Sequence, residues 1–204
     1  MISYREEVKR KLIHLSSLWI PTAMCLLPRW PLCLLFAILL ILNLLVERAR
    51  AKQMPVITPL YDFFFGRMLR QAPAPDAWII SGGPYVFASA TMTLALFAPP
   101  IAPAAMAVML LGDTAAALIG RRFGRHKIWN GKSWEGVIAF LAVGYLGAAL
   151  FLTVCHAGTA LYLCAIPGVI LAAAVELFEK QLRLDDNFSI PLAVGIALLP
   201  AVWL

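Results

Sequence analysis

The chain has 204 residues, 62% of them hydrophobic and only 14% charged, with a formal net charge of +6. Soluble domains run at about 45–50% apolar and about 25% charged, so this balance excludes a soluble globular domain and describes an integral membrane protein. No nucleic acid partner is expected; membrane lipids are. Leu12 to Leu27 runs through Pro28-Arg29-Trp30-Pro31 straight into another apolar stretch, without a small-residue cleavage site. The first hydrophobic segment is therefore expected to be retained rather than removed as a secretory signal. Cys25, Cys33, Cys155 and Cys164 show no Cys-x-x-Cys spacing and lie in or beside apolar segments, as buried free thiols do.

A spanning helix needs about 20 largely apolar residues. In chain order, 12–28, 31–47, 77–98, 100–120, 136–155, 159–178 and 189–204 fit that description. The expected fold is an all-α integral membrane bundle of about seven transmembrane helices in one domain, 1–204. Arg5, Lys9, Arg10 and Lys11 precede the first span, and Arg48, Arg50, Lys52, Arg67 and Arg70 follow the second. Arg121, Arg122, Arg125, Lys127 and Lys132 follow the fourth, and Lys180 and Arg183 follow the sixth. Only Arg29 falls on the other side, so sixteen of the seventeen basic residues share one face. By the positive-inside rule the N-terminus is cytoplasmic, and 48–76, 121–135 and 179–188 are cytoplasmic loops. The second and third loops, with the flanking inner helix ends, are expected to form the active site. A prokaryotic plasma membrane is the expected location, and a homodimer stays open.

The acids follow the same asymmetry. Asp113 lies about seven residues inside the fourth span, about 10 Å from its end at 1.5 Å per residue. A carboxylate at that depth calls for a partner or an ion. The structural alternative is an ion pair with a basic residue of another helix. Glu176 lies near the inner end of the sixth span at similar depth, where it suits a shared cation or an i+4 pair with Lys180. Leu184 to Pro191, LDDNFSIP, opens the last span. Ser189 reads as its N-cap with Pro191 in the first turn, which leaves Asp185, Asp186 and Asn187 as oxygen-rich side chains ahead of it. The third span carries Ser81-Gly82-Gly83-Pro84 near its inner end, which reads as a helix break against protein or a wet cavity. His14, three residues after Lys11, is either an interfacial histidine or a functional one.

The loop after the fourth span is cationic and rich in glycine. Gly131-Lys132-Ser133 invites a P-loop reading, but that motif needs a glycine where this chain has His126, and a preceding strand. Gly120, Gly124 and Gly131 permit tight curvature and exposed amides that cradle phosphate oxygens, while Lys132 and the arginines add countercharge. Glu135 closes the stretch.

Gly112-Asp113-Thr114-Ala115-Ala116, Gly120-Arg121-Arg122-Phe123-Gly124 and Gly131-Lys132-Ser133-Trp134-Glu135-Gly136 together resemble the membrane-integral polyprenol, dolichol, phytol and diacylglycerol kinases that use CTP. Glu7-Val8-Lys9-Arg10-Lys11-Leu12-Ile13-His14 resembles that family's Arg-Lys-x-x-His start. Val175-Glu176-Leu177 with Asp185-Asp186-Asn187-Phe188-Ser189-Ile190-Pro191 resembles its C-terminal signature. The chain is short for the family and lacks the extra N-terminal spans of eukaryotic dolichol kinases. Trp134 stands where a smaller aliphatic is more usual. The resemblance implies transfer of the γ-phosphate of CTP to a lipid alcohol. It implies nucleotide contacts from Gly112, Gly120, Arg121, Arg122, Gly124, Gly131, Lys132, Ser133, Gly136 and Asn187. Catalytic roles would fall to Asp113, Lys132, Glu135 and Asp186, and Mg²⁺ ligation to Asp113 with Glu176 or Asp186. Arg10, Lys11 and His14 complete the implied site. A CDP-lipid synthase would use the same residue types and release pyrophosphate. A transporter is disfavoured, because no internal repeat is evident and the buried charges cluster at one face.

Overall fold

The computed structural model describes residues 3–65 and 80–202. Arg67, Arg70, Asp76 and the first residues of the expected span 77–98 lie outside them. The described chain is all-helical. Among the described residues four helices are long and apolar enough to cross a membrane: Arg29–Ala51, Ile101–Phe123, Trp134–Val154 and Thr159–Leu177. The protein is an integral membrane protein on that count, and within the described residues the other three expected spans take shorter forms.

The segment 12–28 is not one helix. α1 (Tyr4–Ser16) starts at a capping box, in which Ser3 Oγ accepts from Glu6 N at 3.2 Å and Glu6 Oε2 accepts from Ser3 N at 3.0 Å. It ends where Ser17 N and Leu18 N turn back to His14 O and Leu15 O at 3.1 and 3.0 Å. α2 (Trp19–Leu26) then restarts with Pro21 in its first turn, where the missing N–H costs no helix bond. The stretch 77–98 is likewise represented by α5 (Gly82–Leu96), which begins at its Ser-Gly-Gly-Pro rather than being kinked by it. Ser81 caps it, accepting from Gly83 N at 3.4 Å.

α3 (Arg29–Ala51) packs on α5 and on α4 (Ile57–Phe65). Only 17% of its apolar stretch is buried, so most of its surface faces outward. At one end Arg29 donates from Nε to Leu94 O at 2.7 Å and from a terminal nitrogen to Ala95 O at 2.8 Å. This isolated cation satisfies carbonyls that the C-terminus of α5 leaves open.

The centre of the bundle is a single rod. α6 (Ile101–Ala107) passes through a π-helical turn, Val108–Gly112, into α7 (Asp113–Phe123), and 78% of the rod's apolar stretch is buried. Ala102, Ala104, Ala105 and Ala107 are fully buried, and such small side chains let neighbouring helices approach. α8 (Trp134–Val154) lies along the rod, with Gly144 and Gly147 against Val108, Ala107 and Leu111. α9 (Thr159–Leu177) packs on α11 (Asp186–Leu198), which also contacts α5. The short α10 (Glu179–Leu182) bridges them. α11 begins before Ser189: Asp185 is its N-cap, accepting from Asn187 N at 3.0 Å, and Ser189 lies inside, donating to Asp185 O at 3.0 Å. An aspartate cap takes the role because it comes first and its carboxylate meets the helix N-terminus.

Candidate active site

At the end of the bundle opposite Arg29, a cavity of about 340 Å³ opens between α1, α7, the start of α8, α9 and the start of α11. Its walls are built locally by the loop after α7. Ile128 N donates to Lys132 O at 2.9 Å and Trp134 N to His126 O at 3.1 Å, closing a small hairpin. Asn130 and Gly131 form its tip with φ of 58° and 78°, the left-handed region that Gly and Asn tolerate best. Gly124 seats the hairpin against α7, because a Cβ there would lie 2.1 Å from Gly120 O. Ser133 caps α8 and accepts from Gly136 N at 3.3 Å. Glu135 holds the loop from outside, accepting from the amides of Arg125 and His126 at 3.2 Å and meeting His126 Nδ1 at 2.7 Å.

Five carboxylates line this one cavity: Asp113, Glu176 and Asp186, from three different helices, with Glu7 and Glu179. Asp113 is bound by Lys11 of α1, and His14 Nε2 stands 3.5 Å from the same carboxylate oxygen. The basic partner from another helix is therefore present, 102 residues away in sequence. The π-helical turn just before Asp113 adds a residue to the rod at this point; such turns frequently mark functional sites. Lys132 binds the carboxylate of Glu176, donates to Glu176 O at 2.8 Å and lies 3.7 Å from Glu179 Oε2. Arg10 and Arg121 both converge on Glu7, at 2.5 and 3.2 Å. Asp186 is buried and accepts from Asn187 Nδ2 at 3.1 Å, and no cation pairs with it among the described residues. Its neighbour Asp185 is pushed up to about 6 by burial and then by the Asp186 charge.

Of the residues singled out from sequence, Arg10, Asp113, Gly120, Arg121, Gly131, Lys132, Ser133, Gly136, Glu176 and Asp186 line the cavity. Lys11 and His14 stand behind Asp113. Gly112 lies against Phe140 and Gly144, and Arg122 is exposed with its guanidinium 5.3 Å from the Phe123 ring centroid. Gly124, Glu135 and Asn187 support the walls. Glu7, Lys127, Asn130, Glu179 and Lys180 line the cavity without having been singled out. For Glu7 a signal existed: Glu7, Arg10, Lys11 and His14 fall on one face of a helix at spacings of three, four and seven.

Among the described residues no group of three or more His, Cys, Asp or Glu side chains forms a metal cage. Mg²⁺ held together with a triphosphate needs only one or two carboxylates, the rest of its shell being phosphate oxygens and water. Asp186 with Glu176 or Asp113 fits that arrangement, and does not fit a metal bound by protein alone.

No family model matches the chain, and no solved structure matches it. An uncharacterised protein of Rickettsia prowazekii is 28% identical over 187 residues, covering 92% of this chain and 90% of that one. A probable chloroplastic phytol kinase of Oryza sativa subsp. japonica is 37% identical over 107 residues, which cover 48% of this chain and 34% of the rice protein. The phytol kinase of Synechocystis is 34% identical over 102 residues, covering 48% of this chain and 43% of that enzyme. The matched part spans less than half the length of either kinase. The chain is thus an integral membrane protein similar, over about half its length, to phytol kinases.

Proposed function

We propose that this protein is a membrane-embedded kinase that transfers the γ-phosphate of CTP to the hydroxyl of a lipid alcohol, an isoprenoid alcohol such as phytol or polyprenol, or diacylglycerol. The observation that carries the reading is the convergence of Asp113, Glu176 and Asp186 with Lys132 and a glycine-rich hairpin on one cavity at a helix-end depth. Partial similarity to phytol kinases supports the reaction class. The reading includes seven spans, with the basic end and the cavity facing the cytoplasm.

Phosphoryl transfer is mainly positioning and charge stabilisation. Lys132, Arg10 and Arg121 supply positive charge around the triphosphate, and the Gly131 turn lets backbone approach it without a side chain in the way. Lys132 exchanges its Glu176 contact for a phosphate oxygen. Asp186 with Glu176 or Asp113 would hold Mg²⁺, which when bound neutralises charge on the phosphates. The hydrophobic tail stays in the bilayer while its hydroxyl reaches the cavity. The hydroxyl oxygen bonds to the γ-phosphorus, the bond from that phosphorus to the β-phosphate oxygen breaks, and the hydroxyl proton passes to a cavity carboxylate.

Purified protein in lipid vesicles, given Mg²⁺ and CTP labelled at either the α or the γ position with a panel of lipid alcohols, tests this. The γ label is expected in the lipid product, with CDP released. With a lipid phosphate supplied in place of the alcohol, transfer of the α label with release of pyrophosphate identifies a CDP-lipid synthase instead, and no transfer of the γ label to any of the alcohols removes the kinase reading.

A further inference from the structure

Glu7 lines the cavity but takes no part in the Lys11 and Lys132 pairs, and it is 1% exposed. Its two oxygens face arginines from two helices. Arg10, one turn along α1, donates to Oε1 from Nε at 3.2 Å and from a terminal nitrogen at 2.5 Å. Two nitrogens on one oxygen fix the plane of the guanidinium. Its other terminal nitrogen makes no hydrogen bond among the described residues. Arg121 of α7 brings a terminal nitrogen to 3.2 Å from Oε2, close enough for an ion pair. The two are not aligned as a hydrogen bond, and Oε2 is buried without one.

A staple between helices accounts for part of this arrangement. Lys11–Asp113 joins α1 to α7, and Glu7–Arg121 repeats the join with the charges reversed. A staple has no use for Arg10, which lies three residues from Glu7 on the same helix. Both arginines are partly exposed and line the cavity. Two guanidiniums brought together repel, and each has many rotamers to lose. A buried carboxylate shared between them offsets the repulsion and limits the rotamers, while the trio keeps an excess of positive charge. We infer that Glu7 is a positioning residue, which gathers Arg10 and Arg121 into one fork for a polyphosphate anion. Planar guanidiniums suit that ligand, because successive phosphate oxygens can accept from them in pairs. This deepens the proposed function and rests on it for the identity of the anion as a nucleotide.

The sign of one substitution decides. Glu7→Gln removes a negative charge from the cavity wall and keeps size and shape. A carboxylate that merely lined the wall would repel anions, so its loss would tighten their binding. A carboxylate that sets the arginines gives the opposite result. The probe is inorganic tripolyphosphate, titrated calorimetrically into the detergent-solubilised protein without metal, so that neither base, lipid nor turnover enters. The native protein is expected to bind it, and Glu7→Gln to bind it about tenfold more weakly, the loss of one charge-assisted hydrogen bond. In an Arg10→Ala background the same change is expected to weaken binding by less than about threefold, because the two residues act together. Unchanged or tighter binding in Glu7→Gln overturns the inference, and so do losses that multiply in full in the double variant. A lower melting temperature with the affinity of the folded protein kept is the result a staple gives, and it overturns the inference too. If Glu7→Gln does not fold, Glu7→Asp takes its place: withdrawing the carboxylate by one methylene is expected to weaken binding by about threefold, and unchanged affinity overturns the inference. Glu7-dependent binding of tripolyphosphate without γ-label transfer from CTP leaves the fork standing and removes the kinase reading. Label transfer by a native protein that does not bind tripolyphosphate does the reverse.

Discussion

Lys11–Asp113 and Lys132–Glu176 are both lysine–carboxylate pairs of the same cavity, but they stand in different surroundings. In the first, the two side chains are 3% and 8% exposed and the lysine comes from a helix packed across the rod. In the second, the lysine is 25% exposed on the hairpin, and its carboxylate partner is 6% exposed on α9. A shut pair has no water to fall back on, so separating it leaves an uncompensated charge. A half-open lysine can change partners at modest cost. The first pair thus behaves as a floor that joins α1 to the rod, and the second as a rim contact that, on the proposed function, a phosphate takes over.

The largest expected effect comes from breaking the floor. Asp113→Asn leaves Lys11 buried beside a neutral amide, and a loss of about 3–5 kcal/mol in detergent-solubilised stability is expected. Replacing the pair together, Lys11→Met with Asp113→Leu, is expected to recover most of that loss, because no lone charge remains. A thermal melt of Asp113→Asn that matches the native protein breaks the comparison.

The rim gives a smaller change in stability and a larger one in ligand use. Lys132→Ala removes one charge-assisted contact to phosphate, worth about 1.5–3 kcal/mol, or roughly ten- to a hundredfold in CTP affinity. Its melting temperature is expected to fall less than that of Asp113→Asn, since Lys132 is already a quarter exposed. An unchanged dependence of rate on CTP removes Lys132 from the site.

The smallest expected effect is a slope with pH. Asp185 keeps its proton up to about 6 in the folded chain, against an ordinary value of 3.8. Between those values the folded chain holds a proton that the unfolded chain has lost, so stability falls as pH rises through this window. Below the window Asp185 contributes no difference, and above it the full cost is present. Asp185→Asn keeps a good N-cap and is expected to remove that part of the slope, read from melting temperatures between pH 4 and about 6.

Much of the fold was legible because lipid imposes a simple rule on composition. The expected spans 100–120, 136–155 and 159–178 lie within a residue or a few of the rod's apolar part, α8 and α9. The break at Ser17–Leu18 is marked only weakly, by Ser16-Ser17 within an otherwise apolar run and by Pro21, where a helix can restart. The π-helical turn ahead of Asp113 left no trace in composition, since Val108 to Gly112 read as ordinary apolar helix. Sequence could place Asp113 and Glu176 at one end and at similar depth, because depth follows from counting residues along a helix, and Asp186 in the loop at that same end. It could not choose Lys11 as the partner of Asp113, since which helices are neighbours depends on packing. Nor could it separate Gly131, which lines the cavity, from Gly124, which seats the hairpin, because both are glycines in one cationic loop.

Asp186 offers the most direct measurement, since it is buried in the cavity, caps nothing and pairs with no cation among the described residues. In the γ-labelled CTP assay with a lipid alcohol, Asp186→Asn is expected to abolish label transfer while melting at or above the native temperature, because an amide is cheaper to bury than a carboxylate. Transfer at the native rate in that variant, with the fold intact, would contradict the claim that this cavity carries out the phosphoryl transfer.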